Sequence, residues 1–369
     1  MLTSSPPDFA AAVFEASETG HVDLIHRETI QQLVKEESGK RIVKTAEIRN
    51  SVGEDQQRWK LAAEAELTNN FNSCGAYHVS TKEELAAHGR PLPMLCVWSQ
   101  EPEMDYRKCR ACVCGNFAAL DPTAQSWTAQ AEPSSLFAGL KRGLHSGWMI
   151  SKHDVKGAFL NAKLPEGKLV VVSPPAQWVT WGLVPQGVCW TLDRAVYGLR
   201  ESPALWSAER DARLGEAVWT VGKATYHLRR CSSDSQLWVL TEKDKNSILG
   251  LLTVYVDDFL LQAPEGKIRS AFLEKLKTVW TLTKEEVLST THPITFLGIE
   301  FEMRDNGDIF WHQQAFIKSL LDKYGMSQVK GNSCVQIDKA LEDLDTPTDS
   351  ALKSLQGYSG EFNCYAYSG

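Results

Sequence analysis

Two adjacent carboxylates, Asp257 and Asp258, sit inside Thr253-Val254-Tyr255-Val256-Asp257-Asp258-Phe259-Leu260, with apolar runs at residues 249–256 and 259–261 on either side. The runs are rich in β-branched and aromatic residues, which predicts two strands. The acids then occupy the tight turn that joins them, where Asp is favoured. Few folds accommodate this: the apolar strands must be buried while their junction holds two like charges side by side. Repulsion and desolvation both oppose such a pair, and a divalent cation relieves both. Hard oxygen ligands presented together favour magnesium or manganese, with waters and substrate phosphates completing the shell. Read so, the junction is a metal site for phosphoryl transfer; a plain polar hairpin turn fits the same residues.

Composition narrows the setting. At 369 residues, 43% hydrophobic and 23% charged, the chain has the apolar content for two or more structural units with a real core. No apolar run approaches the roughly 18–20 residues needed to cross a bilayer. The start, Met1-Leu2-Thr3-Ser4-Ser5-Pro6-Pro7, lacks the basic and apolar segments of a secretory signal. These features predict a soluble, intracellular protein of the cytoplasm or nucleus, with no membrane partner. Nine cysteines, an odd number spread along the chain, predict reduced thiols rather than a disulfide framework. A net charge of −7 runs against the basic footprint usual in nucleic-acid enzymes. Charge is segregated, however: Arg194, Arg200, Arg210, Arg213, Lys223, Arg229 and Arg230 cluster, while residues 338–349 are acidic. A cleft needs only local positive charge.

Residues 1–55 alternate short helical patterns with polar stretches and predict a lead-in or linker. Helical spacing from Arg58 to Leu67 opens the compact part. Residues 96–117 are strand-like, broken by a polar turn at 101–107. Pro133-Ser134-Ser135 predicts a helix running to about His145, capped by Ser134 or Ser135. Residues 148–155 read as a strand ending at Asp154, followed by a turn at Lys156-Gly157. Ser202-Pro203 predicts a helix with Ser202 as cap and Pro203 at its first position. Ile268, Phe272, Leu276 and Val279 mark one face of an amphipathic helix. Residues 294–303 and 309–312 flank Asn306-Gly307, a hairpin signal. Phe316, Ile317, Leu320, Leu321 and Tyr324 predict a last helix closed by Gly325. Strand, helix, hairpin, helix, hairpin is an α+β order built around an antiparallel sheet.

His153-Asp154-Val155-Lys156-Gly157-Ala158-Phe159-Leu160-Asn161 places a third carboxylate at the end of an apolar strand. Alone, a strand-end Asp is more often a cap. Facing the Asp257-Asp258 hairpin, it supplies what two-metal phosphoryl transfer requires, two ions about 3.5–4 Å apart that clamp the attacking and leaving oxygens. This segment, then Val196-Tyr197-Gly198-Leu199-Arg200-Glu201-Ser202-Pro203, Tyr255-Val256-Asp257-Asp258 and Phe296-Leu297-Gly298-Ile299-Glu300, stand in the order of reverse-transcriptase motifs. The set resembles the copia-type (Pseudoviridae) retrotransposon branch over about residues 55–330.

The resemblance implies a right-hand polymerase of α+β class covering 56–330. Fingers would lie at about 56–147 and 185–230, a palm with an antiparallel sheet at about 148–184 and 231–312, and a truncated thumb or connection start at 331–369. It implies RNA-directed DNA polymerase activity, adding dNTPs to a primer on an RNA or DNA template with two Mg2+ ions, or Mn2+. Asp154 and Asp257 match the principal metal ligands, with Asp258 beside them and the Val155 carbonyl lent to a metal. Phe159 matches the aromatic gate under the nucleotide sugar that disfavours a 2′-hydroxyl; plain core is the competing reading. Tyr197 and Gly198 fall where the family contacts the incoming nucleotide and template. Phe296, Leu297 and Gly298 begin a segment resembling the primer grip, as any apolar hairpin strand would. Lys108 and Arg110 resemble the family's basic fingers strand; alternation puts both on one strand face, suited to a triphosphate, though a solvated face also fits. Cys109, Cys112 and Cys114 lack a second Cys or His pair at zinc spacing, so buried small residues are expected instead.

Two departures reduce positive charge near the template path: Glu201 where the family commonly has Gln or a similar polar residue, and Cys114 where it commonly has a basic one. RNase H, protease, integrase and zinc-knuckle segments are also missing from the resemblance. A catalytically silent, transposon-derived binding module is therefore a competing expectation. An unrelated metal-dependent nuclease is a third, and it would leave Phe159 and the 198–203 motif as coincidence.

Overall fold

The computed structural model describes residues 41–101, 106–119, 128–245 and 247–323. Strand β1 (Arg41–Val43) leads into helices α1 (Thr45–Asn50) and α2 (Gly53–Ala65), and α2 continues as a π-helical segment, Glu66–Asn72. Next come β2 (Tyr77–Val79), α3 (Lys82–His88), the paired strands β3 (Leu92–Glu101) and β4 (Tyr106–Val113), then α4 (Pro133–His145) and β5 (Met149–Asp154). After β5 the chain forms β6 (Val171–Ser173), α5 (Ala176–Thr180) and β7 (Trp190–Leu192). The first sheet has the order β1-β3-β6-β7-β2, with β4 on the other edge of the β3 ladder. Its pairs are antiparallel except β3 with β6. An aromatic core holds it: Trp59 and Ala63, four apart on α2, are buried, and Trp59 meets the Trp98 ring edge-on at 5.8 Å. Phe71, Trp178 and Trp190 fill the rest.

Residues 41–55 belong to this body and are not a linker. β1 pairs with β3, and Ile48 of α1 is completely buried. The remaining lead-in, residues 1–40, lies outside the described residues, as do residues 102–105 of the expected turn, Tyr324, Gly325, the acidic stretch 338–349 and the expected thumb start at 331–369.

The second sheet follows α6 (Ser202–Gly215). Its strands are β8 (Val218–Val221), β9 (Ala224–Arg230), β10 (Leu237–Glu242), β11 (Gly250–Tyr255) and β12 (Asp258–Ala263), then α7 (Lys267–Lys277) and β13 (Glu286–Val287). The order is β13-β5-β12-β11-β10-β9-β8, antiparallel throughout. Central strands β11 and β12 are buried on both faces. Leu252, Val254, Phe259 and Leu261 join a core with Trp206 of α6 and Phe272 and Leu276 of α7, while Leu260 packs with Leu136 and Leu140 of α4. Burial on two faces is why these strands read as unbroken apolar runs rather than alternating ones. β6 through β7 complete the first sheet, whereas α6 through β9 belong to the second.

The last sheet, β14 (Ile294–Phe296), β15 (Ile299–Met303) and β16 (Ile309–His312), precedes α8 (Gln314–Lys323). Residues 294–303 are not one strand: Leu297 and Gly298, at φ 56° and 70°, make the two-residue turn between β14 and β15. Positive φ at both positions is the type I′ pattern that matches strand twist. Asn306-Gly307 does turn the chain from β15 into β16. Two expected caps are also corrected. Pro133 is the first residue of α4, after Glu132, so Ser134 and Ser135 lie inside the helix. Ser202 is the first residue of α6, and its hydroxyl donates back to the Val196 carbonyl at 2.7 Å. The cysteines among the described residues are free thiols, with Cys109, Cys112 and Cys114 buried. Among those residues no helix is long and apolar enough to cross a membrane.

Candidate active site

Asp154 ends β5 directly opposite Asp258, the first residue of β12. Since Tyr255 pairs with Asp258, the turn consists of Val256 and Asp257, and the expectation that both acids occupy the turn is corrected. Val256 has φ 51° while Asp257 is not in the positive region, the type II′ signature. The turn is braced on both sides. The Val256 carbonyl accepts from Trp206 Nε1 at 2.8 Å and Arg210 Nη1 at 2.9 Å, and the Asp257 carbonyl accepts from the Val155 amide at 3.0 Å. Asp154 is bracketed in turn by Thr283: its amide donates to Thr283 Oγ1 at 2.9 Å and its carbonyl accepts from the Thr283 amide at 2.8 Å.

Burial, and then the charge of Asp257, push the Asp154 carboxyl up to about 6, against the pull of Lys152, Lys108 and Arg110. Burial pushes Asp258 up to about 7; Lys152 opposes this, and Asp257 and Asp154 add to it. Lys152 Nζ lies 3.2 Å from Asp258 Oδ1. Burial alone would lower the Lys152 ammonium, but Asp258, Glu286 and Asp154 outweigh it and hold the group above its usual value. Three acids therefore share one site whose negative charge Lys152 meets only in part. Among the described residues no group of three or more His, Cys, Asp or Glu side chains is arranged to hold an ion unaided. Two carboxylates, with water and phosphate oxygens for the remainder, is the way magnesium is commonly held, so this donor set fits that ion.

The basic strand approaches from the first sheet. Lys108 and Arg110 alternate with buried Cys109 on β4, opposite Ser99 and Val97, and both cations lie within electrostatic reach of Asp154. The Arg110 guanidinium sits 5.2 Å over the Tyr197 ring, and Tyr197 meets Phe159 at 4.8 Å between centroids. Phe159 rides on a 3-10 turn, Ala158–Asn161, entered through Gly157 at φ 60° and closed by Asn161 Nδ2 donating to the Gly157 carbonyl at 3.0 Å. It is partly buried against the second core.

Gly198 has a packing reason of its own. At φ 92°, a Cβ there would fall 1.9 Å from the Val113 carbonyl oxygen, because the Val113 amide donates to the Tyr197 carbonyl at 2.7 Å and the two backbones touch. Phe296 is a core residue whose ring meets Tyr255 at 6.4 Å, and Leu297 and Gly298 form the turn beyond it. Asp154, Asp257, Asp258, Lys108, Arg110, Phe159 and Tyr197 thus share one region, which the 296–298 segment meets through Tyr255.

Sequence reasoning missed four participants. Lys152 had a legible signal: two positions before Asp154, it must share that residue's strand face. Glu66, on the π-helical segment, is buried, accepts from the Ala111 amide at 3.1 Å and from Asn70, and is pushed up by burial while Arg110 and Lys108 pull it down. Nothing in its helical spacing marks it. Arg210, counted only among the clustered basic residues, is buried on Asp211, Gln236 and Ser207. Lys168 pairs with Glu201 at 3.1 Å, so that departure carries its own countercharge.

Residues 136–337 match the sequence profile of a family described as reverse transcriptase (RNA-dependent DNA polymerase). The chain is similar to the retrovirus-related Pol polyproteins from transposons RE2 and RE1 of Arabidopsis thaliana, 27% and 26% identical over 264 residues, or 72% of this chain. It spans only 15% of the length of each polyprotein. A putative transposon Ty5-1 protein of Saccharomyces cerevisiae is 27% identical over 168 residues, covering 44% of this chain and 46% of that protein. Among solved structures, the foamy viral protease-reverse transcriptase in complex with dsDNA gives a TM-score of 0.42 at 15% identity, covering 98% of this chain and 63% of that one. The same viral protein with an RNA/DNA hybrid gives 0.39 at 15% identity, covering 82% and 31%.

Proposed function

The chain belongs to the reverse transcriptase (RNA-dependent DNA polymerase) family, and we propose that it is the polymerase part of a copia-type retrotransposon polyprotein, with the first sheet as fingers and the second as palm. The observation that carries this reading is the register setting Asp154 against Asp258 beside the Asp257 turn, with Lys108 and Arg110 in electrostatic reach. Asp154 and Asp257 would hold two magnesium ions, with the Val155 carbonyl as a further oxygen. When bound, the ions activate the primer 3′-hydroxyl and stabilise the departing pyrophosphate. Asp258, tied to Lys152, supports one of them. Lys108 and Arg110 grip the triphosphate of a dNTP, Arg110 being steadied by Tyr197. Phe159 lies beneath the sugar and disfavours a 2′-hydroxyl, Tyr197 and Gly198 border the nucleotide and template, and Phe296, Leu297 and Gly298 bear on the primer.

The test is primer extension on an RNA template with dNTPs and magnesium. Asp257→Asn, folded as judged by circular dichroism, is expected to lose several kcal/mol of transition-state stabilisation, roughly a thousandfold in rate. Undiminished extension by that variant refutes the assignment. A second reading, a binding module without chemistry, draws on Lys152, which already supplies a countercharge 3.2 Å from Asp258. Salt-sensitive binding of a primer–template duplex with no incorporation would single it out.

A further inference from the structure

Val256 is a β-branched residue at φ 51°, a conformation such side chains seldom adopt. It sits at the first central position of a type II′ turn, where Gly is the favoured residue. Some interaction must hold it there. Its carbonyl oxygen belongs to the central peptide of the turn, the one that leads into Asp257, and receives two hydrogen bonds from buried side chains one helical turn apart on α6, Trp206 Nε1 at 2.8 Å and Arg210 Nη1 at 2.9 Å. Arg210 is fixed in its own right. Its remaining N–H groups reach Asp211 Oδ1 at 2.8 and 3.0 Å, Gln236 Oε1 at 2.6 Å and Ser207 Oγ at 3.1 Å, and Asp211 is held from its far side by Arg230 at 2.6 Å. Gln236 is anchored to the same sheet, its carbonyl accepting from the Val254 amide at 2.9 Å. The next carbonyl, that of Asp257, is held by the Val155 amide at 3.0 Å. Two consecutive peptides are thus fixed, one from α6 and one from the end of β5, and the Asp257 side chain projects between them.

We propose that Trp206 and Arg210 are positioning residues for Asp257: by clamping the Val256 carbonyl they impose a turn that the sequence disfavours and so aim the Asp257 carboxylate at the ion it shares with Asp154. Helix α6 thereby sets the ligand geometry without touching ion or substrate. This rests on the metal-site reading above.

The test measures binding of Mn2+ alone to the full chain by electron paramagnetic resonance of the free ion. Arg210→Met and Trp206→Phe are each expected to weaken Mn2+ binding at least fivefold. Adding Val256→Gly to either is expected to restore it to within about twofold of the parent, because Gly adopts the II′ conformation without the clamp. A merely structural role for Arg210 would not be rescued by a glycine in the turn. If Arg210→Met fails to fold, Trp206→Phe carries the test with one donor removed and the aromatic packing kept. Wild-type binding that Asp257→Asn abolishes but the clamp variants leave unchanged overturns this proposal alone, as does a loss that Val256→Gly does not repair. Wild-type binding no stronger than that of Asp257→Asn overturns the metal-site reading, and this proposal with it.

Discussion

Replacing Asp258 by Asn should stabilise the metal-free protein, and increasingly so as the pH rises. In the fold, Asp258 titrates at about 7 instead of 3.8 because it is buried and crowded by Asp257 and Asp154, despite Lys152. An acid whose pKa rises on folding binds its proton more tightly in the folded state. Its favourable contribution is therefore complete below about pH 4 and is lost as the pH climbs through 7. At about 1.36 kcal/mol per pH unit, the span from 3.8 to about 7 is worth about 4 kcal/mol. The Asp258 side chain is 18% exposed, and water access trims the expectation to about 2–4 kcal/mol. Two complications fall out of the comparison. The ion pair with Lys152 exists only where Asp258 is ionised, and its downward pull is already contained in the value of about 7, so its loss adds no separate cost. Buried His153, pushed down to about 4 by desolvation, titrates in both proteins and largely cancels. Urea unfolding in EDTA from pH 4.5 to 8 gives the two stability curves. The Asn variant should gain on the parent by that amount across the range. Curves that stay parallel, or converge toward pH 8, would falsify the electrostatic account of the acid cluster.

Gly198→Ala is expected to destabilise the fold by at least about 3 kcal/mol, since the new Cβ meets the Val113 carbonyl at 1.9 Å and φ is 92°; a urea midpoint within error of the parent speaks against that close approach. Phe159→Val should lower discrimination against ribonucleotides by roughly 10–200-fold in competing extension reactions, and an unchanged ratio removes Phe159 from the gate. His78 is clasped by Asp193 at 3.0 Å and Glu84 at 2.9 Å, whose hydrogen bonds raise its pKa. The clasp is at full strength below about pH 6.5 and is lost as the pH rises through the raised value. An NMR titration of His78 should move to lower pH in Asp193→Asn, and no movement would discount the clasp.

Much of the acid site was legible because its parts are local. The two apolar strands, the terminal position of Asp154 and the alternation of Lys108 with Arg110 each follow from a period-two pattern. The errors have specific physical sources. A valine carries no signal for positive φ, so both acids were placed in the turn when Asp258 begins a strand. Leu297 concealed the β14–β15 turn in the same way, leaving only Gly298 as a hint. Nothing in the sequence marks Arg210 as buried, since arginine is so seldom fully buried, and only its partners Asp211, Gln236 and Ser207 make the burial tolerable. β6 joins β3, and β5 joins β12, across sequence distances that no local pattern reports.

That last pairing bears on how the chain is made. β5 and β12 carry facing acids, yet about a hundred residues separate them, and in that interval the chain leaves to complete the first sheet and then returns. The β11–β12 hairpin and the β8–β9 pair close locally and quickly, whereas β5 must wait. During synthesis its apolar residues and unpaired edge emerge long before a partner exists, which is the condition under which unfinished chains associate wrongly. The acid cluster therefore cannot come into being until β12 has been made, and no product of the ribosome that stops short of that strand carries it.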